Sequence, residues 1–319
     1  MNTPILHHYA ISPFAEKVRL VLGYKGLSWK SVTVPSIMPK PDVVALTGGY
    51  RRTPFLQIGS DVYCDTSLIC DVLEHLQPAP TLYPLKHKGL ARTVAQWADE
   101  KLFNTAMGHN FSPRGTAQVF TGNPDAPMEQ WIAQAKAFGE DRSKMRLGQP
   151  RMSAGEAAAA YRSYLRRLAN MLDGQSFLLG DAPCIADFAA YTPLWFTRAQ
   201  TPVMAGILDA TPGVLAWMDR MAAIGHGKSE AISATEAIAV CAASTGAAAP
   251  IDTKFQDEHG IALGSLVSIQ AESFGPETTE GELVAATRTR YTLRRTDPRA
   301  GVVHVHFPRI GYILKKAHP

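Results

Sequence analysis

The chain has 319 residues, 46% of them hydrophobic and 19% charged, with a net charge of +4. That composition excludes a disordered chain and leaves room for two or three domains, while so weak a positive balance gives no ground for nucleic acid as a partner. No apolar run reaches the roughly 18 residues of a membrane span, and the N-terminus lacks a charged n-region and a long apolar h-region. The expectation is a cytoplasmic protein with no membrane partner. Four cysteines (Cys64, Cys70, Cys184, Cys241) form no CxxC pair and no metal-ligand cluster, so they read as small core residues in a reducing compartment, with no metal site.

In chain order, Ile5 to Tyr9 reads as a short buried strand, and Pro13 to Tyr24 as an amphipathic helix with Phe14, Val18, Val21 and Leu22 at helical spacing. "SWKSVTV" (Ser28 to Val34) has the β-branched content of a second strand. "PFLQIG" and "DVYC" flank Gly59-Ser60 as a hairpin, and "DTSLICDVLEHL" carries Leu68, Ile69, Val72, Leu73 and Leu76 on one helical face. This order implies an α/β domain, a mixed sheet with helices packed on it. From Pro84 onward the signals are helical, in "LARTVAQWADEKLFNTAM" and "AGEAAAAYRSYLRRLANMLDG", with "FSPRGTAQVFTGNPDAP" as a turn-rich interruption between them. An Ala-rich stretch ending at Pro250 then reads as a linker, and Ile251 to Pro319 as a small all-β, barrel-like module of about five strands. The expected domains are thus 1–80, 84–237 and 251–319.

Three places could carry chemistry. Ser12-Pro13 opens a helix, where the serine is either an N-cap or a donor to an anion at the helix mouth. Thr53-Pro54 opens a strand, as an ordinary trans proline at an edge or as a cis bond that offers the Thr53 backbone to an extended peptide. Asp65-Thr66 opens another helix, as plain capping groups or as a site in which Asp65 pairs with an ammonium and the helix N-terminus holds a carboxylate.

The succession S-P-F-A-x-K-V-R, then T-P-F-L, then D-T-x-x-I resembles the thioredoxin-like half of the glutathione transferase family, whose usual V-P stands here as Thr53-Pro54 and whose usual E/Q-S stands as Asp65-Thr66. "FLLGDAPCIADFAAYTPL" resembles the signature of that family's helical half, with Cys184 where a serine or threonine cap is usual. The resemblance runs from about residue 4 to 225. It implies a thioredoxin-like domain, then an all-α domain, with the β module as an addition.

It also implies roles. Ser12 would meet the sulfur of glutathione, the co-substrate, and favour thiolate over thiol, as a donor and not a nucleophile. Thr53, Pro54, Asp65 and Thr66 would hold the tripeptide, with Arg52 near its glycine carboxylate. Tyr9, Ile11, Phe103, Met107 and Phe111 would line a pocket for a small electrophile. The activity implied is transfer of an alkyl or aryl group to glutathione by a homodimeric enzyme. A rival reading keeps the scaffold as a binding module, acting on a protein partner through the C-terminal β domain with little or no catalysis. In that domain, alternation puts Arg288, Arg290 and Arg294 on one strand face and Leu283, Ala285, Tyr291 and Leu293 on the other; His304 and His306 likewise share a face, and this basic surface reads either as a solvated outer face or as a site for an acidic protein or anionic ligand.

Overall fold

The computed structural model describes residues 3–146, 148, 152–244 and 254–317. Residues 3–76 hold β1 (Ile5–His8), α1 (Pro13–Tyr24), β2 (Ser28–Thr33), α2 (Pro41–Thr47), β3 (Phe55–Ile58), β4 (Asp61–Cys64) and α3 (Thr66–Leu76). β1 runs parallel to β2 and antiparallel to β3, and β3 is antiparallel to β4 across the Gly59-Ser60 turn. This is the expected thioredoxin-like domain. Only α2 escaped the periodicity: its "PDVVALT" is a seven-residue segment with two adjacent valines, too short and too β-branched to read as a helix.

The helical domain comprises α4 (Lys88–Trp97), α5 (Phe103–Asn110), α6 (Pro113–Thr121), α7 (Ile132–Met145), α8 (Ala154–Met171), α9 (Ile185–Trp195) and α10 (Pro212–Ala222). A π-helical turn, Ala98–Leu102, joins α4 to α5. The stretch read as turn-rich holds α6, and its start repeats the pattern of α1: the Gly115 N–H donates to Ser112 Oγ ahead of a proline in the first turn. At α9 the capping box closes with Cys184 in the cap position: its thiol accepts from the first-turn backbone and donates to Asp187 Oδ2 at 3.3 Å, beside the Cys184 N–H at 3.0 Å. Asp187 Oδ1 also receives the Leu178 N–H and the Trp217 indole N–H, at 2.8 and 2.9 Å. A fully buried carboxylate is thereby satisfied from within the motif and from Trp217 on α10.

Two later elements attach to the first domain. β5 (Lys228–Ala231) pairs parallel with β2, and α11 (Ala234–Ala243), opened by a Ser233–Glu236 capping box, sets the Ala237 carbonyl on the Gln57 amide at 2.8 Å. The Ala-rich stretch therefore begins as a packed helix. Its remainder from Thr245 to Pro250, and Ile251 as the start of the third domain, lie outside the described residues.

The expected five C-terminal strands are present: β6 (Leu266–Ala271), β7 (Thr279–Ala286), β8 (Arg290–Asp297), β9 (Gly301–Pro308) and β10 (Tyr312–Lys316). They do not close on themselves as a barrel. β9 pairs parallel with β4, and the result is one ten-stranded sheet in the order β10-β6-β7-β8-β9-β4-β3-β1-β2-β5. Their apolar face shares one core with the first domain: Val267, Leu293, Val305 and Phe307 pack in the same cluster as Ile5, Phe55, Val62 and Leu46. The other face of the first domain, through Leu6, Leu56 and Tyr63, joins the core of the helical domain.

Two readings of the β module change. A bulge between Leu283 and Ala285 shifts the register, so that Ala286, and not Ala285, lies opposite Tyr291; Ala285 faces Thr292. The shared face of His304 and His306 is real but not solvated. His306 donates or accepts at both ring nitrogens, with Asp61 Oδ1 at 2.7 Å and Thr292 Oγ1 at 2.9 Å, and it stacks on Tyr63 with ring centroids 4.5 Å apart. Arg290 is buried on the same face, and only Arg294, paired with Glu282, and Arg288 lie outside. Pairing with β4 covers what alternation alone would leave in water.

Candidate functional site

Strand register brings the three sequence-predicted segments to one end of the sheet. His7, Phe55 and Cys64 are cross-strand partners on β1, β3 and β4. The 9–12 turn leaves β1 just past that row, Thr53-Pro54 enters β3 just before it, and Asp65 follows β4. The Thr53-Pro54 bond is cis.

Ser12 is 2% exposed and caps α1, its Oγ accepting the Ala15 N–H at 3.3 Å. The simple reading of Ser12-Pro13 is thus realised, and the same geometry leaves the hydroxyl proton of Ser12 at the positive end of α1. Asp65 has φ 77°, the one non-glycine residue with positive φ among those described. Its Oδ1 caps α3 through the Ser67 N–H and hydroxyl, at 3.0 and 2.8 Å. Its side chain is still 25% exposed, and Arg52 Nη2 lies 3.5 Å from Oδ2. Burial opposes its charge, but the Arg52 guanidinium and the Ser67 bonds outweigh that and hold its pKa below the usual carboxylate range.

Beneath Thr66, the buried Lys17 amine donates to Thr66 Oγ1 at 3.2 Å and to Asp99 Oδ2 at 2.6 Å. Asp99 belongs to the π-helical turn of the helical domain, so this ion pair fastens that domain under the mouth of α3. Burial works against the ammonium, and Asp99 more than offsets it, raising the Lys17 pKa. Arg19 is likewise structural, held by Glu16 at 2.7 Å.

Lys40 was not legible as a site residue. It lies between two prolines with no local motif around it, yet it is 3% exposed, with Nζ donating to the Arg51 carbonyl at 3.2 Å and to Thr53 Oγ1 at 3.4 Å. Burial and the neighbouring Arg142 lower its pKa to about 8. An ammonium has three protons to donate, so one remains for an anion beside Thr53.

The helical domain approaches from α7. Arg142 donates to the Ser36 carbonyl at 2.9 Å and to the Tyr9 hydroxyl at 3.4 Å, while Asp141 Oδ1 accepts from the Met38 N–H and from Arg51. Arg142 also stacks over Phe138, which contacts Phe111. Through these contacts the structure links Tyr9 to Phe111, and Phe14 in the first turn of α1 to Phe103, with ring centroids 4.6 Å apart. Met107 packs along the main core, and Ile11 is 36% exposed at the turn before Ser12.

The C-terminal strands also reach the site. The Tyr312 hydroxyl, on β10, donates to Asp65 Oδ2 at 3.0 Å and accepts from Arg52 Nη2. Arg52 is therefore turned toward Asp65, its guanidinium stacked between the rings of Tyr50 and Tyr312. No local sequence signal marks Tyr312, because its proximity depends on the β4–β9 pairing.

Comparison with known proteins follows the same division. The family models for the glutathione S-transferase N-terminal domain and C-terminal domain match residues 6–81 and 129–220. A GST-like protein from Pseudomonas syringae, solved by crystallography, is 40% identical, covers 99% of this chain and 100% of its own, and superposes with a TM-score of 0.81. The structure of glutathione S-transferase III in its apo form is 20% identical and covers 69% of this chain and 92% of its own, with a TM-score of 0.51. FtsZ-localized protein A of Caulobacter vibrioides is 25% identical over 194 residues, 58% of this chain and 73% of its own. The C-terminal strands thus have a counterpart across the full length of the Pseudomonas protein.

Proposed function

Because this chain belongs to the glutathione S-transferase family, we propose that it binds glutathione and activates its thiol for attack on a small electrophile. The observation that carries the reading is the register row His7–Phe55–Cys64, from which the Ser12 turn, Thr53-Pro54 and Asp65-Thr66 all spring at one end of the sheet. A short peptide laid along that end would set its amino-acid head at Asp65-Thr66, its central backbone unit on Thr53 and its thiol at Ser12. Lys40 would receive the far carboxylate, a role the resemblance suggested for Arg52.

At the thiol, the Ser12 hydroxyl and the N-terminus of α1 both favour the anion. The thiolate would attack an electrophile held among Tyr9, Ile11, Phe103, Met107 and Phe111. The division 1–80, 84–237 and 251–319 then reads as glutathione on the first part, electrophile on the second and support of the site from the third.

We place the protein in a reducing cytoplasm, which suits four buried, unpaired cysteines. Among the described residues no helix is long and apolar enough to cross a membrane. A homodimer would form on helix faces, since β9 and β5 occupy both edges of the first four strands; Leu85 and Leu90, 97% and 50% exposed, supply apolar surface there. Light scattering at micromolar concentration tests this, and a monomer mass refutes it.

A second reading, a binding protein on the same scaffold with a protein partner at the C-terminal strands, draws support from the Caulobacter relative, whose name records localisation with FtsZ and no reaction. Calorimetric titration with glutathione tests the first. Binding is expected, and Asp65→Ala should weaken it by about 1.5–3 kcal/mol, the scale of a lost charged hydrogen bond. Binding without turnover of any aryl or alkyl halide would favour the second reading.

A further inference from the structure

We propose that Tyr312 is a positioning residue of the glutathione site: the added strand β10 sets its phenol against Asp65, so that the carboxylate is presented to the ammonium of the ligand's amino-acid head. This rests on the function proposed above, and goes beyond it by giving the C-terminal strands a part in ligand recognition.

The hydroxyl of Tyr312 bridges two charged groups: its proton goes to Asp65 Oδ2 at 3.0 Å, and a lone pair receives Arg52 Nη2. The Tyr50 hydroxyl in turn accepts the Asp65 N–H at 3.0 Å. Backbone and side chain of Asp65 are therefore held from the same two phenols, at a residue whose φ of 77° is unfavourable for a side chain with a β-carbon. An ionised carboxylate offers about four acceptor positions. Ser67 takes two on Oδ1 and Tyr312 one on Oδ2; Arg52 Nη2 faces Oδ2 from 3.5 Å as an ion pair without a hydrogen bond, so one acceptor position on Oδ2 is open to a further donor.

Burial and the nearby Asp65 raise the Tyr312 pKa well above that of a free phenol, so it remains a donor across the working pH range. Tyr312 itself is 5% exposed and would not touch the ligand; the part that meets solvent is Asp65.

The test compares glutathione with its deaminated analogue, glutaryl-cysteinyl-glycine, on the full chain by calorimetry. Wild type is expected to prefer glutathione. Tyr312→Phe, which keeps the ring against Arg52, should weaken glutathione roughly three- to tenfold, the net effect of one hydrogen bond, and leave the analogue within about twofold. The ratio of the two affinities is read on the same folded variant, so a general loss of stability does not move it. Tyr50→Phe, removing the second phenolic hydroxyl, should shift the ratio the same way and carries the test if Tyr312→Phe fails to fold. Equal losses for both ligands, no loss for glutathione, or a wild type that does not distinguish them would overturn the assignment while leaving the glutathione site standing. A wild type that binds neither ligand would remove the site itself, and this role of Tyr312 with it.

Discussion

Tyr312 and Asp65 lie 247 positions apart, and the phenol of one donates to the carboxylate of the other at 3.0 Å. That bond exists because β9 pairs with β4, placing the last strands of the chain at the mouth of α3. From sequence alone, the C-terminal strands would be dispensable for binding the tripeptide. In the structure their removal uncovers Phe55, Val62 and Cys64 along one face of the first domain. A chain stopped at Ser244 is therefore expected to be poorly soluble or unfolded. Circular dichroism and size exclusion would check this; a folded monomeric truncation that still binds glutathione at full affinity would show the strands to be an accessory.

The α9 motif predicts a large stability effect with no catalytic part. Asp187→Ala leaves the Leu178, Cys184 and Trp217 N–H groups without their acceptor, inside a fully packed core. The expected loss is on the order of 3–5 kcal/mol, read as the urea midpoint and slope. A loss below about 1 kcal/mol would mean that these donors find other acceptors.

How much of this was legible follows from the range of each interaction. Ser12-Pro13, the Gly59-Ser60 hairpin and the α3 stripe were readable because cap, turn and periodicity are local. β5 was not: "KSEA" is four exposed residues that become a strand because the edge of β2 is there to pair with. The face of His304 and His306 was found by alternation, but its burial depends on Asp61 and Tyr63, on a strand some 240 positions earlier. Ser12, Thr53 and Asp65 were visible as types in order; Lys40, Tyr50, Arg142 and Tyr312 join them through tertiary contacts.

Stability should fall in mild acid. Burial lowers the pKa of His7 to about 4 despite its Gln57 bond, and burial together with Arg19 lowers that of His8 to about 4. Both rings are neutral in the fold, while the unfolded chain takes up protons from about pH 6.5 downward. The unfolded state therefore binds more protons between pH 6.5 and 4, and stability drops as pH falls through that window, by up to about 1.4 kcal/mol per pH unit for each histidine. Urea unfolding at pH 7, 6 and 5 measures the slope; a flat profile would contradict the neutral, buried assignment.

Lys40 predicts a pH limit on binding that the thiol does not share. S-methylglutathione has no thiol to ionise, so its affinity should fall as pH rises through about 8, where Lys40 loses its proton. Lys40→Met should weaken this ligand about tenfold at pH 7 and flatten the profile, consistent with the loss of one charged hydrogen bond. An unchanged profile in the variant would move the carboxylate elsewhere.

The central claim is that the mouth of α1 turns glutathione into a thiolate. Ultraviolet absorbance of the thiolate, followed against pH with glutathione bound, measures this directly. The bound thiol should titrate at least one unit below its free value of about 8.5, and Ser12→Ala should return it most of the way while costing far less in affinity. The same substitution removes an N-cap and should lower stability by about 1 kcal/mol, which is read separately by thermal unfolding. A bound thiol that titrates as free glutathione does in the wild type would contradict the account, leaving Ser12 as a helix cap and nothing more.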